Sequence, residues 1–130
     1  KARGIIWVSS AATGGENGLK IRVYGTKGSI EWLQDDPNNL KFTELDKPMK
    51  VITRASKLVS KFSLSSSRIA AGHPEGFFEA FANIYSEFAD QIHNKNKKCL
   101  FPTIDDGVAG IKFIYAAKKS SNLNSKWIKI

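Results

Sequence analysis

One cysteine, Cys99, stands in the 130 residues, so no internal disulfide framework can form and nothing points to secretion. No apolar run approaches the ~20 residues of a membrane helix, so no bilayer-spanning helix is expected. There is no apolar leader behind Lys1, and the first residue is not methionine. The chain is therefore expected to be a piece of a longer protein. Acidic residues are scarce: 12 stand against 20 basic ones, for a net charge of +8 and a pI near 9.7. What is present is ordinary. A hydrophobic share of 42% with 25% charged residues excludes a disordered chain. A mass of 14.4 kDa fits residues 1–130 as a single domain.

The positive charge by itself suggests nucleic acid or an anionic surface. Its distribution argues otherwise, because the lysines are spread along the chain. The densest cluster, Lys95, Lys97 and Lys98, follows a helical segment, where cations complement the helix dipole. Neither a nucleic-acid partner nor a membrane partner is expected.

The first half alternates. Apolar and polar residues exchange through Leu19-Lys20-Ile21-Arg22-Val23-Tyr24 and again through Ser29-Ile30-Glu31-Trp32-Leu33. Period two is the mark of a half-buried strand. The intervening Gly25-Thr26-Lys27-Gly28 reads as a hairpin turn. Asp35, Asp36, Pro37, Asn38 and Asn39 form a second turn, leading to strands over residues 40–45 and 49–53. Residues 4–12 are expected to open the sheet and residues 126–130 to close it. The serine-rich stretch 54–72 loses the pattern and reads as a long loop.

The second half is helical. Phe77, Phe81, Ile84, Tyr85, Phe88 and Ile92 recur at helical spacing over residues 74–93. Pro74 suits the first helical position and Glu75 the first turn. Thr103 followed by Asp106 resembles a capping box opening a second helix, with Val108, Ile111, Ile114 and Tyr115 on its buried side. Asn122 and Asn124 end it. The expected fold class is α+β, an open and mostly antiparallel β-sheet with two helices packed on one face. The other face is left for a partner, and Trp7, Trp32 and Trp127 all fall in expected strands.

Candidate chemistry is sparse. Gly25-Thr26-Lys27-Gly28 lacks phosphate-loop spacing and leads into a strand. Gly72-His73-Pro74-Glu75-Gly76-Phe77 is the pointed feature, a histidine at a helix start after a basic loop. His73 could face a polar ligand, with Arg68 pairing to one of its oxygens. Alternatively His73 caps the helix and Glu75 satisfies its dipole. Glu79, a turn further on, is expected to face water. His73, His93, Cys99 and Glu75 show no metal-ligand spacing, and no nucleophile–histidine or paired-carboxylate arrangement stands out.

Four blocks together carry a resemblance: Gly25-Thr26-Lys27-Gly28-Ser29-Ile30-Glu31-Trp32, Asp36-Pro37-Asn38-Asn39-Leu40, Gly72-His73-Pro74-Glu75-Gly76-Phe77-Phe78-Glu79-Ala80-Phe81, and Phe101-Pro102-Thr103-Ile104-Asp105-Asp106-Gly107. In order and spacing they resemble the distal C-terminal domain of the Gfo/Idh/MocA oxidoreductases, the glucose-fructose oxidoreductase and inositol dehydrogenase family. That resemblance implies a parent protein with an N-terminal Rossmann domain, binding NAD or NADP and oxidising or reducing a sugar, inositol or related polyol. The family's catalytic lysine and histidine would precede Lys1, so no catalytic, cofactor-binding or metal-binding residue is expected within these residues, and the piece alone should be inactive. Arg68 and His73 are the expected substrate-binding residues. A homo-oligomer through the open sheet face is implied, with Glu31, Arg22 and Lys20 supplying mixed charge to that face, and the location is expected to be cytoplasmic. Relatives often carry Arg-Gly and then Tyr-Leu-Ser where this chain has Arg54-Ala55-Ser56-Lys57-Leu58-Val59-Ser60. The alternative is a stand-alone protein-interaction or dimerisation module without enzymatic activity.

Overall fold

Alternation in the first half produces four strands, β1 (Lys20–Tyr24), β2 (Gly28–Leu33), β3 (Asn39–Glu44) and β4 (Lys50–Thr53). They pair antiparallel in the order β1-β2-β3-β4, as short consecutive strands do when joined by tight turns. This computed structural model describes residues 2–95 and 98–130, which leaves Lys97 of the lysine cluster outside the described residues. The chain divides into two compact units, residues 1–79 and 80–130. With its open antiparallel sheet and its helices, the fold is α+β.

Register gives the sheet two different faces. Ile21, Trp32, Leu40 and Ile52 lie opposite one another across the four strands, and Val23, Ile30 and Phe42 form a second row. Directly paired residues share a face, so that face is apolar along these rows, with Lys50 and Glu44 at its end beside Phe42. Arg22, Glu31 and Lys41 form a row on the other face. There the Glu31 carboxylate is clamped by Lys41 at 2.9 Å and Lys20 at 3.0 Å. The hydrogen bond from Lys41, then that from Lys20, holds the Glu31 carboxyl below its usual range. Trp32 therefore lies on the face opposite Glu31, Arg22 and Lys20, because adjacent strand residues point to opposite faces.

The β1–β2 connection is the expected hairpin, closed by the Gly25 N–H donating to the Gly28 carbonyl at 2.8 Å. Gly28 is required for space. A Cβ there would sit 2.6 Å from the backbone oxygen of Thr43 on β3. Gly28→Ala should cost on the order of 2 kcal/mol, the range of a forced backbone shift. Chemical denaturation of the full-length protein checks this; an unchanged midpoint would show that β3 yields freely.

In the turn after β2, the Asp36 carboxylate accepts from Asn39 Nδ2 at 2.8 and 3.0 Å. The Trp32 indole N–H donates to the Pro37 carbonyl at 3.1 Å. These bonds fix Asn38 between the two strands. After β3, Glu44 pairs with Lys47 and Lys50.

Two expected strands do not form. Residues 4–12 and 126–130 have strand-forming composition, but no described strand lies alongside to complete a ladder, and propensity without pairing is insufficient. Trp7 and Trp127 accordingly stand outside any strand. The loop 54–72 is not wholly irregular. It contains the short helix α1 (Lys61–Ser65), capped by the Ser60 hydroxyl accepting from the Ser63 N–H at 3.1 Å.

Helix α2 (Phe77–His93) begins three residues later than expected. Helix α3 (Ile104–Asn122) opens on the expected capping residues. The Thr103 N–H and hydroxyl both donate to Asp106, at 2.7 and 2.8 Å. Those bonds hold the Asp106 carboxyl below its usual range. The helix stops where Asn124 adopts φ +54°, a left-handed conformation that asparagine tolerates. Val108, Ile111, Ile114 and Tyr115, expected on a buried side, are all exposed. The periodicity is real, but so small a unit encloses little surface.

Candidate functional site

The only buried polar or charged side chain among the described residues is Glu75, 8% exposed. An isolated carboxylate would be costly there, and the structure supplies its partner from far along the chain. Arg54, the residue following β4, reaches Glu75 Oε2 with Nη1 at 2.5 Å. Its side chain is 16% exposed, so the pair is largely withdrawn from water.

A single guanidinium organises the loop around this pair. Arg54 Nε donates to Asn38 Oδ1 at 2.9 Å, and Nη1 donates to the Ile69 carbonyl at 2.8 Å. Nη2 donates to the carbonyls of Ala70 and His73, at 3.2 and 2.9 Å. Glu75 receives the backbone N–H groups of Arg68 at 2.7 Å and Ile69 at 3.1 Å. Its own N–H returns to Asn38 Oδ1 at 3.2 Å. Asn38 is in turn held because the Arg54 N–H donates to its carbonyl at 2.8 Å. The planar fork of arginine suits this duty, since its donors point in fixed directions.

This geometry corrects the expected helix start. Glu75 does not serve the helix dipole; it is committed to Arg54 and to two loop amides. His73 is not the cap, since it lies four residues before α2 and gives its carbonyl to Arg54. Pro74 likewise precedes the helix. Gly76 occupies the capping position instead, and its N–H donates to Glu79 Oε2 at 2.9 Å. Glu79, expected to face water, is half-buried and turns one carboxylate oxygen back onto the backbone. That bond is the first cause holding the Glu79 carboxyl below its usual range, with the charges of Arg54 and Arg68 adding to it.

Arg68 and His73 thus share one segment. Both are exposed, and the backbone of each is tied to the same ion pair. Reasoning from sequence missed Arg54 and Asn38. The available signal was a glutamate placed after a basic loop and an arginine at the end of a strand, both flanking the same irregular stretch. Ala55, beside Arg54, takes φ +60°, a conformation that costs an alanine about 1 kcal/mol and that glycine adopts freely.

Nicotinamide dinucleotides need a strand–glycine loop–helix cradle. Gly25-Thr26-Lys27-Gly28 does not fit one, because it joins two strands and Gly28 is packed against Thr43. Among the described residues no group of three His, Cys, Asp or Glu could hold a metal ion. No described helix is long and apolar enough to cross a membrane.

The family described as the oxidoreductase family, C-terminal alpha/beta domain, matches residues 1–130. The chain is 35% identical over 135 residues to the uncharacterized oxidoreductase YfiI of Bacillus subtilis, covering 98% of this chain and 34% of that protein. An oxidoreductase from Sinorhizobium meliloti shares 50% identity and a TM-score of 0.86 over 91% of this chain and 34% of its own. An inositol dehydrogenase homolog from Azotobacter vinelandii, complexed with NADH and myo-inositol, shares 33% identity and a TM-score of 0.85 over 94% of this chain and 34% of its own. The chain thus spans about a third of the length of these relatives.

Proposed function

The chain belongs to the Gfo/Idh/MocA oxidoreductase family, and from that premise we propose that residues 1–130 are one domain, the substrate-binding and oligomerisation portion of an NAD(P)-dependent enzyme acting on a sugar, inositol or related polyol. The match of the whole chain to the family's C-terminal domain carries this reading. The likeness to a homolog complexed with NADH and myo-inositol supports the substrate class. Arg68 and His73 serve binding, not proton transfer. A guanidinium and an imidazole on an ordered loop suit the hydroxyl oxygens of a polyol. The nucleotide and the groups that accept hydride and proton belong to other parts of the parent enzyme. We place that enzyme in the cytoplasm, where a lone cysteine such as Cys99 stays reduced, and assemble it as a homo-oligomer through a sheet face.

Spectrophotometry of the full-length protein with NAD+ or NADP+ and a panel of myo-inositol, aldoses and alditols tests the reading. Reduction of the nicotinamide by at least one polyol is expected. Calorimetry showing that neither nucleotide binds the full-length protein would overturn it. The 130 residues alone should bind neither nucleotide and turn over nothing.

A further inference from the structure

We propose that Arg54 and Glu75 are positioning residues: their ion pair holds residues 68–73 in one arrangement and thereby sets the geometry in which Arg68 and His73 bind substrate. The proposal rests on the reading of Arg68 and His73 as binding residues. The observations behind the latch itself do not.

The stretch between β4 and α2 has little to order it. It contains one short helix, α1, and a glycine, Gly72, at φ +84°. Its fixed points are at its ends. Arg54 is anchored to the sheet, since its N–H donates to Asn38 at 2.8 Å. Glu75 is fastened to the same asparagine by its N–H at 3.2 Å. Between these points, the guanidinium gathers the carbonyls of Ile69, Ala70 and His73. The carboxylate gathers the amides of Arg68 and Ile69. Five backbone groups of the segment therefore answer to two side chains. The two ends of that set carry the two binding residues. Lysine in place of Arg54 would keep the charge and lose the fork; glutamine in place of Glu75 would keep the shape and lose the charge.

The test uses the full-length enzyme with myo-inositol and NAD+. Arg54→Lys and Glu75→Gln are each read by amide hydrogen exchange over residues 66–76 and by steady-state kinetics. Exchange of the Arg68 and Ile69 amides should rise about tenfold or more, as expected when a local structure opens at lower cost. KM should rise about tenfold with kcat changed by no more than about threefold, the signature of lost binding geometry. A role confined to folding would lower the active fraction, and with it the apparent kcat, while KM stayed in place. Unaltered exchange in both variants would overturn the latch. Raised exchange with unaltered KM would overturn the positioning role. His73→Ala and Arg68→Ala separate the two readings: if these leave KM unchanged, the binding assignment has failed; if they raise it while Glu75→Gln does not, only the positioning has. Should both latch variants misfold, the wild-type protein still decides. Arg68 and Ile69 amides that exchange as fast as free peptide contradict the proposal.

Discussion

Arg54→Met in the full-length protein should lower stability by on the order of 3 kcal/mol, and adding Glu75→Leu should recover part of that loss rather than deepen it. The asymmetry follows from burial. Removing Arg54 leaves the Glu75 carboxylate, with 6% of its side chain exposed, facing only two backbone N–H groups. The Ile69 and His73 carbonyls lose the Arg54 donor at the same time, and the Ala70 carbonyl keeps only the His73 N–H. Replacing both members removes the stranded charge, so the desolvation cost of the carboxylate disappears with it. Recovery is incomplete because the carbonyls and amides that the pair had gathered remain without those partners. Urea denaturation of the two single variants and the double variant reads the coupling directly. If the double variant loses as much as the two single losses added, the ion pair contributes nothing as a pair, and the loop is held by its backbone alone.

The sheet was legible because its information is local. Alternation in residues 20–24 and 28–33 and a glycine turn between them suffice to define a hairpin, and the structure has that hairpin. The capping box at Thr103 was legible for the same reason, its two members being three residues apart. The largest failures are long-range. Residues 4–12 and 126–130 carry strand composition, yet pairing depends on a neighbour that composition does not name. Glu75 was read by its nearest feature, the helix. Its actual partner lies 21 positions earlier, and no spacing rule connects a strand-end arginine to a carboxylate across an irregular loop. The same holds for Asn38, which ties a turn between strands to the start of a helix. The resemblance to the family did place residues 72–77 among the features of interest, and the geometry supplies the reason why its glutamate is there.

Produced by themselves, these 130 residues should associate and bind a hydrophobic dye strongly. Among the described residues no hydrophobic side chain is buried. Ile5, Phe78, Ile104 and Trp127 are each more than four-fifths exposed. Apolar surface contributes about 25 cal/mol for each Å² removed from water, so a chain with this much of it uncovered gains by covering it on a second copy. The net charge of +8 works the other way, since like-charged copies repel at low ionic strength. The balance between the two can be read from salt. Association driven by the apolar surface should strengthen with added sulfate, which both screens the repulsion and favours burial. Association through charged rows, such as the one in which Lys20 and Lys41 clamp Glu31, should weaken instead. Sedimentation at micromolar concentration across a sulfate series distinguishes them: a mass well above 14.4 kDa that grows with sulfate is the expected result. A monomer that takes up no dye at any salt concentration would show that the units cover their own apolar faces in solution, and the argument from exposure would fall.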